Sequence, residues 1–250
     1  MTQTVSRAIA ILEFCSVRPR ELMEIAEELG VHRTTALRLA NTLIAGGFLR
    51  RDERSRYGVG FRLAGLAQPA LDQFDLRSVV HPFIVELSEQ LGHTIQFAVP
   101  QGAHIIYVDK IEPPQAISLN TRIGGFVVIH TAGVSKAILA NLATEQRDEI
   151  IARATFEGFT PTTITSKEEL LSCLDEVRRR GWSTDDGEYE TVSNCIAAPV
   201  FDYANRPAGG ISVTAFRDKA DLNSLRELLP ELLKTTEAIS MELGWRPAAS

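Results

Sequence analysis

Residues 21–45, ELMEIAEELGVHRTTALRLANTLIA, constrain the fold of this chain more than any other stretch. Leu22, Ile25, Ala26 and Leu29 recur at the three- and four-residue spacing of one helical face, and Gly30 supplies the left-handed residue that stops such a helix. From His32 a second periodic run begins, with Ala36, Leu39, Ala40 and Leu43 inward and Thr34, Leu37, Arg38 and Asn41 on the opposite face. Upstream, VSRAIAILEFC (5–15) predicts a further helix that buries Val5, Ala8, Ile9, Leu12 and Cys15. Downstream, Gly46 and Gly47 end the third helix, and FLRR and RYGV predict two short strands around the turn DERS. Two helices joined by a short glycine-containing turn and followed by a hairpin predict a winged helix-turn-helix over residues 1–60.

The charge of this segment sets it apart from the rest. Residues 30–60 hold six arginines, no lysine and two acids, in a chain whose formal net charge is −6. Residues 1–65 carry ten arginines against seven acids, a net of +3, while the remainder carries sixteen bases against 25 acids, a net of −9. A small basic module joined to a larger acidic one points to a polyanionic partner for the first alone. The side-chain types fit double-stranded DNA. An arginine such as Arg38 offers a bidentate fork to guanine, Asn41 suits an adenine edge, and Thr34 and Thr35 can donate to phosphates, with His32 and Arg33 beside them at the helix start. Arg50, Arg51, Arg54 and Arg56 lie on or near the hairpin, where cations meet backbone phosphate or the minor groove. Solvated surface arginines and a pure dimerisation module are the competing readings.

The rest of the sequence excludes several classes. No apolar run approaches the roughly 18 residues that span a bilayer, and MTQTVSRAIA lacks a signal-peptide layout, so a cytoplasmic protein with no membrane partner is expected. Cys15, Cys173 and Cys195 are odd in number and lack metal spacing, so neither a disulfide framework nor a metal site is expected. No GxGxxG or Walker loop occurs, and no cofactor is implied. An enzyme centred on Cys195, with His130 as base and Asp185 as orienter, lacks any nucleophile signature around the cysteine.

Residues 61–75 predict a linker helix interrupted by Gly65 and Pro69, and a helix is expected over Leu76–Leu91 with Pro82 in its first turn. TIQFAVPQGAHIIYVDKI predicts two strands, followed by a short strand around AISLN. Helices are expected over 133–142, 145–153 and 166–180, strands over 190–201 and 208–216, and a closing helix over 222–243 kinked at Pro230. Hairpins bordered by helices, without β-α alternation, mean an α+β domain over 76–250.

VSRAIAILE, ELMEIAEELGVHRTTALRLANTLIAGGFLRRD and RYGVGFRLAGLA resemble the winged helix-turn-helix of the IclR family of bacterial transcriptional regulators. HTAGVSKAILA, RRRGWSTDDGEYETVSNCIAAPVFD and GGISVTAF are similar, in the same order, to the three signature segments of that family's effector-binding domain, so the likeness covers nearly the whole chain. Two departures stand beside it. The wing turn RDERSRY is one residue shorter than the usual form and lacks its glycine, and AFRDKAD follows ISVT where the family often continues with Gly-Pro.

The resemblance implies a GAF-like domain with a central antiparallel sheet, dimers that pair into tetramers, and a small-molecule effector site. That site's polar positions map onto Gly133, Val134, Asp185, Cys195, Ser212 and Thr214, with Leu119 and Val127 as apolar wall. Each also has a plain reading: Cys195 as a small core residue, Asp185 and Asp186 as turn acids before Gly187, and Ser212 facing either solvent or a cavity. Backbone donors at Gly133 and Val134 and hydroxyl donors at Ser212 and Thr214 suit a carboxylate, while Asp185 calls for a hydroxyl on the ligand.

Overall fold

The computed structural model describes residues 3–66, 75–113 and 121–247. The chain divides into two compact units, Met1–Asp75 and Leu76–Ser250. No described helix is long and apolar enough to cross a membrane.

The first unit packs α1 (Gln3–Val17), α2 (Leu22–Glu28) and α3 (Arg33–Ala45) against a hairpin of β1 (Leu49–Arg51) and β2 (Tyr57–Val59). Gly30 takes φ +60° and stops α2, so the chain re-enters a helix three residues later. Ile25 and Ala26 of α2 meet Ala36, Leu39 and Ala40 of α3 in a core completed by Ile11, Cys15, Leu49 and Tyr57. The face of α1 differs from expectation. Cys15 is buried and Leu12 packs partly buried against the core, as expected, but Ile11 is buried as well and Val5 and Ile9 are more than half exposed, because the helix carries a second apolar stripe that the single chain does not cover. In the wing turn, which has no glycine, Ser55 adopts the left-handed conformation at φ +61°. Residues 62–66 are helical, and the rest of the expected linker helix falls on 67–74, outside the described residues.

The second unit is a five-stranded antiparallel sheet in the order β4-β3-β7-β6-β5, layered by helices on both faces. Its strands are β3 (Thr94–Gln101), β4 (His104–Ile111), β5 (Ser183–Asp186), β6 (Ser193–Phe201) and β7 (Pro207–Phe216). On one face α4 (Leu76–Leu91) packs Val80, Ile84 and Leu87 on Ile95, Phe97, Ile196 and Val213. The opposite face takes α5 (Gly133–Leu139) and α7 (Lys167–Arg180), with α6 (Thr144–Ile151) adding Ile150 and Ile151 to the same core. With both faces covered, β6 is buried along eight of its nine residues.

Three details depart from the sequence reading. Pro82 lies inside α4 and not in its first turn, since the helix already begins at Leu76. The closing helix is two, α8 (Leu222–Glu227) and α9 (Leu229–Glu242), with the break at Leu228 and Pro230 tolerated at the start of the second. Asp185 and Asp186 are not turn acids: Ser183–Asp186 forms the edge strand β5, and Gly187, at φ +69°, ends it. The strand expected around AISLN lies outside the described residues.

Candidate nucleic-acid interface and effector cavity

α3 presents a polar face because its apolar positions are taken up by the core. Arg33, Thr34, Leu37, Arg38 and Asn41 are exposed, while Thr35 is half-buried. His32 caps the helix: its Nδ1 accepts from the Thr34 amide at 3.4 Å and lies 2.9 Å from the Thr34 hydroxyl. A surface groove joins Arg33 and Leu37 of α3 to Arg51, Arg54 and Ser55 of the wing, so the helix and the hairpin share one basic surface. Arg33, Arg38, Arg50, Arg51 and Arg54 have no acidic partner among the described residues.

Arg56, unlike the other wing arginines, has an acidic partner within the wing. Its guanidinium pairs with Asp52 at 2.9 Å, and the other carboxylate oxygen accepts the amides of Arg54 and Arg56 at 3.0 and 2.8 Å. The short wing turn is closed from within by this acid, whose carboxyl is held below the usual range by those hydrogen bonds, the Arg56 amide first. The charge of Arg56 is therefore spent on the turn.

The second unit contains a cavity of about 250 Å³ between the sheet and α5. Strand register explains its floor. Asp185 on β5 stands opposite Cys195 on β6, which stands opposite Thr214 on β7; two residues along, Ser212 stands opposite Gln96 on β3. All five side chains line the cavity, together with Gly133 and Val134 at the start of α5. Ser212 is thus turned to the cavity and not to solvent, at 1% exposure. Gly133 admits no side chain: a Cβ there would stand 2.6 Å from Cys195 Sγ.

Val127 is placed in the core beside Ile105 and Tyr107, and its neighbour Val128 lines the cavity. The segment is bridged to β4 through Phe126 and the Val127 amide, so alternation brings only every other side chain to the wall. Leu119 lies outside the described residues. Sequence reasoning missed Gln96, Tyr107, Arg122 and Glu190, which also line the cavity. A signal existed for one of them: Gln96 is the single amide within the apolar run TIQFAV, and it is buried. Its Oε1 accepts from Ser212 and Thr214, each at 3.4 Å, and its Nε2 donates to the Thr121 hydroxyl.

Beneath the wall lies a buried charge cluster. Lys136 on α5 is 1% exposed and ion-pairs with Glu188, whose second carboxylate oxygen is buried without a hydrogen-bond partner among the described residues. The Glu188 amide donates to Asp185 at 2.7 Å. Burial pushes the Asp185 carboxyl up to about 6 and that of Glu188 up to about 7, with the Lys136 ammonium pulling both down. Thr160 and Thr163 donate to the carbonyls of Gly187 and Glu188 at 2.7 and 2.6 Å and hold the segment after β5 in place. Arg217, three residues after Thr214, ion-pairs with Asp186.

These values fix a pH response. The Asp185 carboxyl titrates near 6 in the folded chain and near 3.8 when unfolded, so its contribution to stability is fully present below about pH 3.8 and is lost as pH rises through 6. Relative to Asp185→Asn, the wild type should lose on the order of 2–3 kcal/mol across that window, at ~1.4 kcal/mol per pKa unit. Urea denaturation of both proteins between pH 4 and 7 checks it; parallel stability curves would remove the buried-carboxyl assignment.

Nucleophilic chemistry at Cys195 finds no support in the geometry. Burial raises its thiol well above the ordinary range, and the Gly133 amide donates to its sulfur. His130 does not reach it: Nε2 lies 3.0 Å from the Glu157 carbonyl, and the ring stacks on Phe159.

Residues 68–241 match the C-terminal domain of the IclR bacterial transcriptional regulators, and residues 4–53 match the IclR helix-turn-helix domain. The chain belongs to the IclR family. Its first unit is that family's DNA-binding helix-turn-helix domain and its second the effector-binding domain; the family consists of transcriptional regulators and not enzymes. The regulator XynR of Escherichia coli K12 is 27% identical over 97% of this chain and 98% of its own length. RhmR, an HTH-type regulator of the same strain, is 30% identical over 97% and 94%. The crystal structure of Thermotoga maritima IclR matches with a TM-score of 0.64 at 28% identity, covering 98% of this chain and 100% of that one.

Proposed function

We propose that this IclR-type regulator binds double-stranded operator DNA as a homodimer or homotetramer in the cytoplasm, and that a small hydroxylated carboxylic acid in the C-terminal cavity alters that binding or its contact with polymerase. The observation that carries the effector reading is the convergence of Asp185, Cys195, Thr214, Ser212, Gly133 and Val134 on one cavity from four separate elements. Neutral polar groups and a buried acid in a partly apolar space suit a short ligand with both acceptor and donor groups. Self-association is supported by the uncovered apolar positions Val5, Ile9, Phe61 and Leu66, of which Phe61 is 87% exposed. Two copies are also needed because one recognition helix touches too few bases for useful specificity.

The effector reading is tested by thermal shift of the full chain with lactate and 4-hydroxybenzoate beside their amides and their dehydroxy analogues. An acid present at about 100 times its Kd should stabilise the folded state by ~2.7 kcal/mol, and the amide and dehydroxy forms less. Asp185→Asn should accept the dehydroxy analogue better than the wild type does. Best stabilisation by a neutral amine or a sugar, or an unchanged ligand response in both Asp185→Asn and Ser212→Ala, would discard this cavity as the effector site.

A further inference from the structure

The inventory of charge around the cavity is lopsided. Asp185 and Glu190 are its acids, and Arg122 is the one basic side chain among the described lining residues. The other cations nearby are already committed: Lys136 is buried against Glu188, and Arg217 is paired with Asp186. Arg122 is exposed at the rim and has no side-chain hydrogen bond or ion pair among the described residues.

Its position is built and not incidental. The Arg122 carbonyl accepts the Gly125 amide at 2.9 Å, the Tyr107 carbonyl accepts the Gly124 amide at 2.7 Å, and the Gly125 carbonyl accepts the Tyr107 amide at 3.0 Å. This turn is therefore stapled to β4 at a residue that itself lines the cavity. Gly124 supplies the left-handed conformation at φ +81°, and Gly125 lets the turn close, since a Cβ there would stand 2.9 Å from the Arg122 carbonyl oxygen.

The inner end has the opposite polarity. Asp185 is an acceptor when ionised, and the Gly133 amide is directed at Cys195 Sγ. The Ser212 and Thr214 hydroxyls have an acceptor in Gln96 Oε1, at 3.4 Å each, and once they donate to it their remaining capacity toward a ligand is to accept. An anionic group placed at that end meets like charge, whereas at the rim it meets a guanidinium able to form two parallel charge-assisted hydrogen bonds.

We propose that Arg122 is the anion-anchoring residue of the effector site, so that the ligand lies with its carboxylate outward on Arg122 and its hydroxyl-bearing end inward on Asp185. This rests on the effector reading above and reverses the orientation expected from the sequence, in which the amides of α5 and the two hydroxyls face the carboxylate. It selects acids whose hydroxyls are remote from the carboxylate, such as polyhydroxy chain acids and para-hydroxylated aromatic acids, over acids hydroxylated only beside it.

Titration calorimetry on the full chain tests this with D-gluconate and 4-hydroxybenzoate beside their neutral counterparts, D-glucitol and 4-hydroxybenzamide. At least one acid should bind, its neutral counterpart about 10- to 100-fold more weakly. Arg122→Gln should weaken the acid by a similar factor and leave the neutral compound unchanged, with partial recovery in Arg122→Lys and a weaker salt dependence than the wild type. Asp185→Asn serves as the second arm. If an acid binds and responds to Asp185→Asn but not to Arg122→Gln, the cavity stands and the anchor falls. Equal loss for acid and neutral compound in Arg122→Gln also overturns the anchor. If neither acid binds the wild type, the anchor and the effector reading fail together.

Discussion

Lys136→Ala is expected to destabilise the C-terminal unit by about 3–5 kcal/mol at pH 7.5, because it strips the counter-charge from two buried acids. Lys136 is 1% exposed, and Glu188 and Asp185 are both below a tenth exposed, so bulk water compensates neither acid well. Both tryptophans, Trp182 and Trp245, lie in that unit, and their fluorescence during urea denaturation of the full chain reports its unfolding alone. The loss should shrink toward pH 5, where both carboxyls, with values pushed up to about 6 and about 7, take up protons and remain neutral. The double variant Lys136→Met/Glu188→Leu should recover most of the loss, since a buried pair replaced by apolar groups of similar size is often neutral. A loss below about 1 kcal/mol in Lys136→Ala would mean that the cluster is hydrated and that the acids are not held in the fold as described.

The helix-turn-helix was legible because each of its signals is local. Gly30 and the apolar spacing in α2 and α3 act within a few residues, and burial of Ile25 and Leu39 in one core only ratifies them. The edge strand β5 was illegible for the converse reason. Its sequence STDD has neither apolar alternation nor β-branched enrichment, and it is a strand only because β6 supplies a hydrogen-bonding partner from beyond a turn. The shifted face of α1 has a third cause: Cys15 and Leu12 face the core as expected, but Val5 and Ile9 on one side and Ile11 on the other give two apolar stripes, and periodicity alone does not say which one the chain's own core takes. For the cavity, the family's motifs brought out the residues of β5, β6, β7 and α5. Gln96 and Arg122 lie outside those motifs, and their role depends on cross-strand register and on a turn stapled to a distant strand.

Replacing both Arg38 and Asn41 by alanine should erase most discrimination between operator and random DNA. Each good base contact contributes about 1–3 kcal/mol of discrimination, and a regulator's whole specificity ratio is on the order of 4–10 kcal/mol. In a dimer the loss is repeated at both half-sites. Arg54→Ala acts on a different quantity. Exposed on the wing without an acidic partner, Arg54 is expected to hold phosphate, so its removal should weaken all sequences alike and lower the salt slope by about 0.9 per contact. Arg56→Ala should hardly change that slope, because its charge is already met by Asp52. Fluorescence anisotropy on one selected site and one scrambled duplex, over a range of salt, separates the three behaviours.

The most direct measurement is selection of binding sites from random-sequence duplex DNA by the full-length chain at physiological salt, with Arg38→Ala/Asn41→Ala selected in parallel. The wild type should enrich a pseudo-palindromic site with two half-sites about one helical turn, or a multiple of it, apart, and the double variant should retain DNA but enrich no sequence at the positions that α3 reads. Enrichment of the same motif by both proteins, or of none by the wild type, would contradict the assignment of this surface to sequence-specific DNA recognition.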